Sequence, residues 1–177
     1  MNEKFKYQQL LGFAVTCFIS TLLHFAYNWL NQSIFIAPFS SINESTWEHM
    51  KLVFWPTFTF ALVQRFFFRN RTDFWCIKLK GILLSLIFIP VVFYTYNGAI
   101  GKSPDWFNVG IFFISVAITF IFETKEFINK RAKCNKDKIA FVILCAIALL
   151  FIVFTFVTPT IEIFKDPITK TYGINAY

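Results

Sequence analysis

The sequence predicts an all-α fold: a polytopic membrane helix bundle of five transmembrane helices, with the N-terminus inside and the C-terminus outside. Three observations carry this. First, 56% of the 177 residues are hydrophobic, 26 of them are Phe, and mean hydropathy is +0.57, which is too apolar for a water-exposed domain. Second, the apolar residues fall into five runs, each long enough or nearly so for a hydrocarbon core of roughly 30 Å. Third, all 17 basic residues except Lys51, Lys102, Lys165 and Lys170 fall on one side of that arrangement. The positive-inside rule places that side in the cytoplasm. The whole chain, 1–177, then reads as one bundle in the cell membrane, with no room for a separate soluble catalytic domain.

The first span runs over about 10–30. Lys4 and Lys6 precede it as in a signal peptide, but no small-x-small cleavage site follows, so it reads as an uncleaved helix. Cys17, Thr21, His24, Asn28 and Asn31 recur at steps of four and three, and the spacing predicts that this stripe looks into the bundle.

The second span, about 47–68, is the informative one. Ser41-x-x-Glu44 and Ser45-x-x-Glu48 are both capping-box patterns, so a helix begins at one of them. Its apolar stretch is slightly short for the bilayer, which draws Glu48, His49 and Lys51 to the membrane boundary. Pro56 predicts a kink below them.

Lys78 and Lys80 open the third span (about 74–96), which ends near Tyr94 and Tyr96 before a Gly/Pro turn. Asp105 reads as the N-cap of the fourth, about 105–123. A basic loop around 125–138 leads into the fifth, about 139–157, which Pro159 ends. Residues 159–177 form an extracytoplasmic tail with turns at Asp166-Pro167 and Gly173.

The positive formal charge of +7 does not indicate nucleic acid, because the basic residues lie between apolar runs and act as topology determinants. The bilayer is the partner that composition requires. Cys17, Cys76, Cys134 and Cys145 show no paired or metal-type spacing and read as reduced structural thiols. Trp29, Trp47, Trp55 and Trp106 fit an interfacial aromatic belt.

With this topology His24, Asn28, Asn43, Glu44, Glu48, His49, Lys51, Tyr94, Tyr96, Asp105, Glu162 and Asp166 gather at the outer end. Ionisable groups at the mouth of a span are costly and are functional candidates by default. His24, Glu44, Glu48 and His49 are the candidate metal ligands and equally the candidate acid/base residues. A divalent metal is open as a cofactor but is not favoured, since only two histidines exist and their spacing matches no metal pattern. Lys51 and the tyrosines could orient an anionic headgroup. The bland readings are that Ser45 and Glu48 cap a helix, that Lys51 neutralises a glutamate, and that His24 is a core histidine.

Asn43-Glu44-Ser45-x-Trp47-Glu48-His49-x-Lys51, preceded by His24-Phe25-x-Tyr27-x-Trp29, resembles a family of small five-span bacterial membrane proteins known only as a domain of unknown function. Tyr94-x-Tyr96-x-Gly98 and Phe164-x-Asp166-Pro167-x-Thr169-x-x-Tyr172-Gly173 resemble the same family, so the likeness covers nearly the whole chain. The family carries an acidic residue where this chain has Asn28, which argues against a metal role there. The resemblance implies the architecture and the site, and no reaction.

Three functional classes remain at this point. One is a protein that binds a small ligand or lipid headgroup, or assists transport, through the outer pocket. Another is a membrane hydrolase or transferase with a Glu/His acid–base pair. The third is a structural or assembly partner of another membrane protein. The first ranks highest, and whether the chain is an enzyme is left open.

Overall fold

Ser45 starts the helix on which the rest is arranged. Its backbone is extended (φ −69°, ψ 155°) and its hydroxyl accepts the Glu48 N–H at 3.4 Å, so the second of the two capping patterns is the one used. In the computed structural model, which describes residues 2–129, 134 and 136–175 (for Asn2, Lys4 and Asn175 the backbone alone), there are five α-helices. They are α1 (Asn2–Trp29), α2 (Thr46–Phe67), α3 (Phe74–Ala99), α4 (Asp105–Asn129) and α5 (Asp137–Phe156). Short 3-10 turns at Glu162–Phe164 and Gly173–Asn175 follow, and strand pairing among the described residues is confined to one bridge between Lys165 and Tyr172.

Four helices have spans long and apolar enough to cross a membrane: Phe5–Trp29, Phe74–Ala99, Asp105–Asn129 and Asp137–Phe156. Helix α2 is not among them. It is the inner helix of the bundle, with more than half its residues buried, including Glu48, Lys51, Thr57 and Gln64. Helix α1 packs on α2 and α4, while α3 packs on α4, α2 and α5. Helices α1–α4 therefore close a ring, and α5 lies against its α3 side.

The face of α1 that meets its neighbours is not the expected stripe. Thr21, Asn28 and Asn31 are exposed, whereas Phe5, Gln9, Gly12, Thr16, Ser20 and Tyr27 are buried. The small residues Gly12, Thr16 and Ser20 win the interface because they let other backbones come close. Ser20 also has a specific task. Pro56 has no N–H for the Leu52 carbonyl, and the Ser20 hydroxyl donates to that carbonyl at 2.8 Å. Helix α2 thus continues through its proline with the freed acceptor satisfied from α1.

The cysteine reading needs correction. Cys76 and Cys134 form a disulfide across 58 residues, and Cys17 and Cys145 are free. Asp137 at the start of α5 accepts the Cys76 N–H at 3.0 Å, which brings the loop before α5 to the start of α3. No sequence spacing announces a contact made this way. Of the basic loop residues, Lys130, Arg131 and Lys133 lie outside the described residues. Between α2 and α3, Arg71 binds both carboxylate oxygens of Asp73 at 2.8 Å, which holds that carboxyl below its ordinary range.

Candidate functional site

The connector 30–45, which carries Glu44, is fastened at almost every residue by a polar contact. The Ser40 hydroxyl enters the α1 hydrogen-bond ladder, accepting the Tyr27 N–H at 2.9 Å and donating to the Leu23 carbonyl. Trp55 Nε1 donates to the Pro38 carbonyl at 2.9 Å. Ser41 Oγ donates to the Asn43 carbonyl at 2.7 Å, and Asn43 Oδ1 accepts the Ser45 N–H at 2.9 Å. Asn43 Nδ2 reaches the Gly173 carbonyl at 3.3 Å and so ties the tail to the connector. Gly173 has φ +68°, and a Cβ there would lie 2.6 Å from Thr158 Oγ1, so only glycine fits.

Glu48 and Lys51 hold the underside of this connector. Glu48 Oε2 lies 2.6 Å from Lys51 Nζ and accepts the Ile42 N–H at 3.0 Å. Lys51 Nζ also donates to the Ala37 carbonyl at 2.8 Å and to Thr155 Oγ1 of α5 at 3.1 Å. Both residues are buried, at 2% and 0% exposure. The capping box is therefore half formed: Ser45 caps, but Asn43 occupies the Ser45 N–H that Glu48 would have reached. Glu48, a candidate ligand and base from its sequence, is committed to Lys51 and the backbone.

Glu44 emerges from this brace between the two histidines. His24 Nε2 lies 3.6 Å from Glu44 Oε1, and His49 Nε2 lies 3.7 Å from Glu44 Oε2. No two of the three ligand atoms are more than 4.8 Å apart. The His24 and His49 ring centroids are 5.8 Å apart. All three side chains are partly open, at 25–35% exposure. Of the two glutamates grouped with it at the outer end, His24 faces Glu44 and not Glu48.

His49 Nδ1 stands 3.0 Å from the Ser45 carbonyl. A carbonyl only accepts, so Nδ1 donates to it and Nε2 is the ring nitrogen that faces Glu44. Metal-bound histidines are oriented in this same way, by donating the other ring N–H to a carbonyl or carboxylate. Two donors on a tetrahedral zinc stand about 3.4 Å apart, given bond lengths of about 2.0–2.1 Å. The 3.6 and 3.7 Å separations run to different oxygens of Glu44 and exceed hydrogen-bond length. With one ligand atom from each residue the set lies within 4.8 Å, so the side chains would draw together on a zinc ion.

The remaining sequence candidates have other partners or stand apart. Asn28 is exposed, as is Asp105 in the first turn of α4. Tyr94 donates to the Glu162 carbonyl at 2.9 Å and binds Thr46, while Tyr96 packs on Phe107 with ring centroids 4.0 Å apart. Glu162 pairs with Lys165 at 2.7 Å. Asp166 is buried and shapes its own turn, accepting the Ile168 and Thr169 N–H groups at 2.7 and 3.3 Å.

Sequence reasoning missed a second polar cluster. Lys78, read as a topology determinant, is 0% exposed and paired with Glu123 of α4. Glu123, a lone carboxylate toward the end of an apolar run, was the signal that could have found it.

The chain belongs to the DUF6512 family, a family of unknown function, whose model matches residues 1–174. No curated protein and no solved structure matches it. Membership agrees with the resemblance read from the Asn43–Lys51 motif, and it brings no reaction with it.

Proposed function

We propose that this DUF6512 protein is a single five-span bundle of the cell membrane that binds a divalent transition metal at its extracytoplasmic end, through His24, Glu44 and His49. The open coordination position then takes a small anionic ligand or a lipid headgroup. Two imidazoles and one carboxylate are a donor set for zinc(II) or iron(II), and three protein ligands leave a position free. The observation that carries the reading is the convergence of His24, Glu44 and His49 within 4.8 Å, with the Ser45 carbonyl on His49 Nδ1 turning Nε2 toward the shared carboxylate. Glu48 and Lys51 act here as positioning residues for the connector that bears Glu44.

Helix α2 is the proposed fifth span. Its 22 residues measure about 33 Å at 1.5 Å per residue, and its buried Lys51 and Gln64 bind Thr155 of α5 and Gln9 of α1. Cysteines placed at the exposed Lys102 are expected to react with an impermeant reagent on intact cells, and cysteines placed at Asn70 are not. Labelling at Asn70 from outside would invert the proposed orientation.

Equilibrium dialysis of the purified protein against zinc tests the site. One zinc per chain is expected, lost in His24→Ala and in His49→Ala and kept in Asp105→Asn. Equal zinc retention by all four proteins would remove the metal reading.

A further inference from the structure

Four polar residues from four helices meet inside the bundle, at the end where the basic residues of the sequence collect. Lys78 Nζ of α3 donates to Glu123 Oε2 of α4 at 2.5 Å, and Gln9 Nε2 of α1 donates to the same oxygen at 3.2 Å. Gln64 Nε2 of α2 donates to Gln9 Oε1 at 3.1 Å. None of the four is more than 3% exposed.

Each has a phenylalanine four residues nearer the basic end: Phe5, Phe68, Phe74 and Phe127. Helix direction alternates, so this is one layer of rings, with centroid separations of 5.0–6.2 Å. On the opposite side Phe60 and Phe120 meet at 5.9 Å, and Phe13 lies 6.5 Å from Phe120. Gly12 admits this second layer, since a Cβ there would collide with both Phe60 and Phe120. Lys78 Nζ sits 5.7–5.9 Å from two rings of each layer, within cation–π range.

An ion pair enclosed in this way is poor value as a brace, because apolar residues of similar volume usually serve stability as well or better. The pair is also loaded on one side. Oε2 takes both donors, while Glu123 Oε1 accepts no hydrogen bond among the described residues. Lys78 is the charged partner facing Glu123. Beyond the first ring layer, Arg65 lies 5.5 Å from the Phe74 ring and Arg71 5.0 Å from the Phe127 ring, with Arg71 paired to Asp73. Asp137, at the start of α5, is bound to the Cys76 N–H.

We propose that this layer is a gated proton-exchange site within the membrane: Glu123 takes up a proton at Oε1 and gives it back, and the two phenylalanine layers close the site from either end. With the ion pair formed, the layer is neutral. Uptake breaks one O–H bond of hydronium, which becomes water, makes one O–H bond on Oε1, and leaves a net charge of one, the Lys78 ammonium, against the ring faces. Release breaks that bond and hands the proton to water. Nothing is oxidised or reduced, and the metal site plays no part.

Proteoliposomes with an imposed pH gradient and a clamped membrane potential test this. Wild-type vesicles are expected to lose the gradient faster than protein-free vesicles, Glu123→Gln to return to the protein-free rate, and Phe74→Ala with Phe127→Ala to exceed wild type. Wild-type flux equal to that of protein-free vesicles, or unchanged flux in Glu123→Gln, overturns the proposal. Should the Gln variant not reconstitute, dicyclohexylcarbodiimide on the wild-type protein decides. A protonated carboxyl adds across its N=C bond without a leaving group, so an adduct on Glu123 that increases as pH falls is expected. No adduct at any pH overturns the proposal.

Discussion

Glu48→Gln is expected to destabilise the protein by about 3–5 kcal/mol, because it leaves the fully buried Lys51 ammonium without its counter-charge. The Ala37 carbonyl and Thr155 hydroxyl remain, but neither carries charge. Ser45→Ala removes only the cap of α2 and should cost roughly 0.5–2 kcal/mol. Thermal unfolding of the two variants in the same detergent distinguishes a brace from a cap. Equal, small losses would mean that Glu48 does no more than a capping glutamate does.

Lys78→Met alone is expected to cost a similar amount, about 3–5 kcal/mol, since Glu123 is then buried with only Gln9 for a donor. Adding Glu123→Leu should recover wild-type stability or exceed it, because two apolar side chains replace two desolvated charges. The double variant would at the same time lack the proton flux assigned to Glu123. Stability restored together with flux would contradict that assignment, and stability unrecovered would make the pair a structural necessity.

The all-helical character and the number of helices were legible because apolar run length and Pro/Gly punctuation are local properties, although α1 begins at Asn2 and α4 runs on to Asn129, beyond the apolar runs that marked them. The start of α2 at Ser45 follows from the same kind of local chemistry. His24 and Glu44 were legible only as members of one outer polar group, because which of its carboxylates His24 meets depends on the path of the connector. What failed was anything decided by a third element. Glu48 reads as a capping glutamate until Asn43 takes the Ser45 N–H and Lys51 takes the carboxylate. The polar stripe of α1 was set about one residue off, because small residues at Gly12, Thr16 and Ser20 outweigh polarity in choosing a helix interface. Lys78 was grouped with the loop lysines by position alone, and its partner is 45 residues away on another helix. The Cys76–Cys134 contact depends on where α5 starts relative to α3, which no spacing encodes.

The metal site is the central claim, and X-ray absorption at the zinc edge tests it most directly. Zinc-loaded wild-type protein should give a first shell of two imidazole nitrogens and one carboxylate oxygen at about 2.0–2.2 Å, with a further light atom in the open position. His49→Gln should lose the imidazole-bound zinc signal, and Glu44→Gln should keep scattering from both imidazoles. A spectrum without imidazole scattering, or one that His49→Gln leaves unchanged, would contradict the assignment of His24, Glu44 and His49 as the ligands.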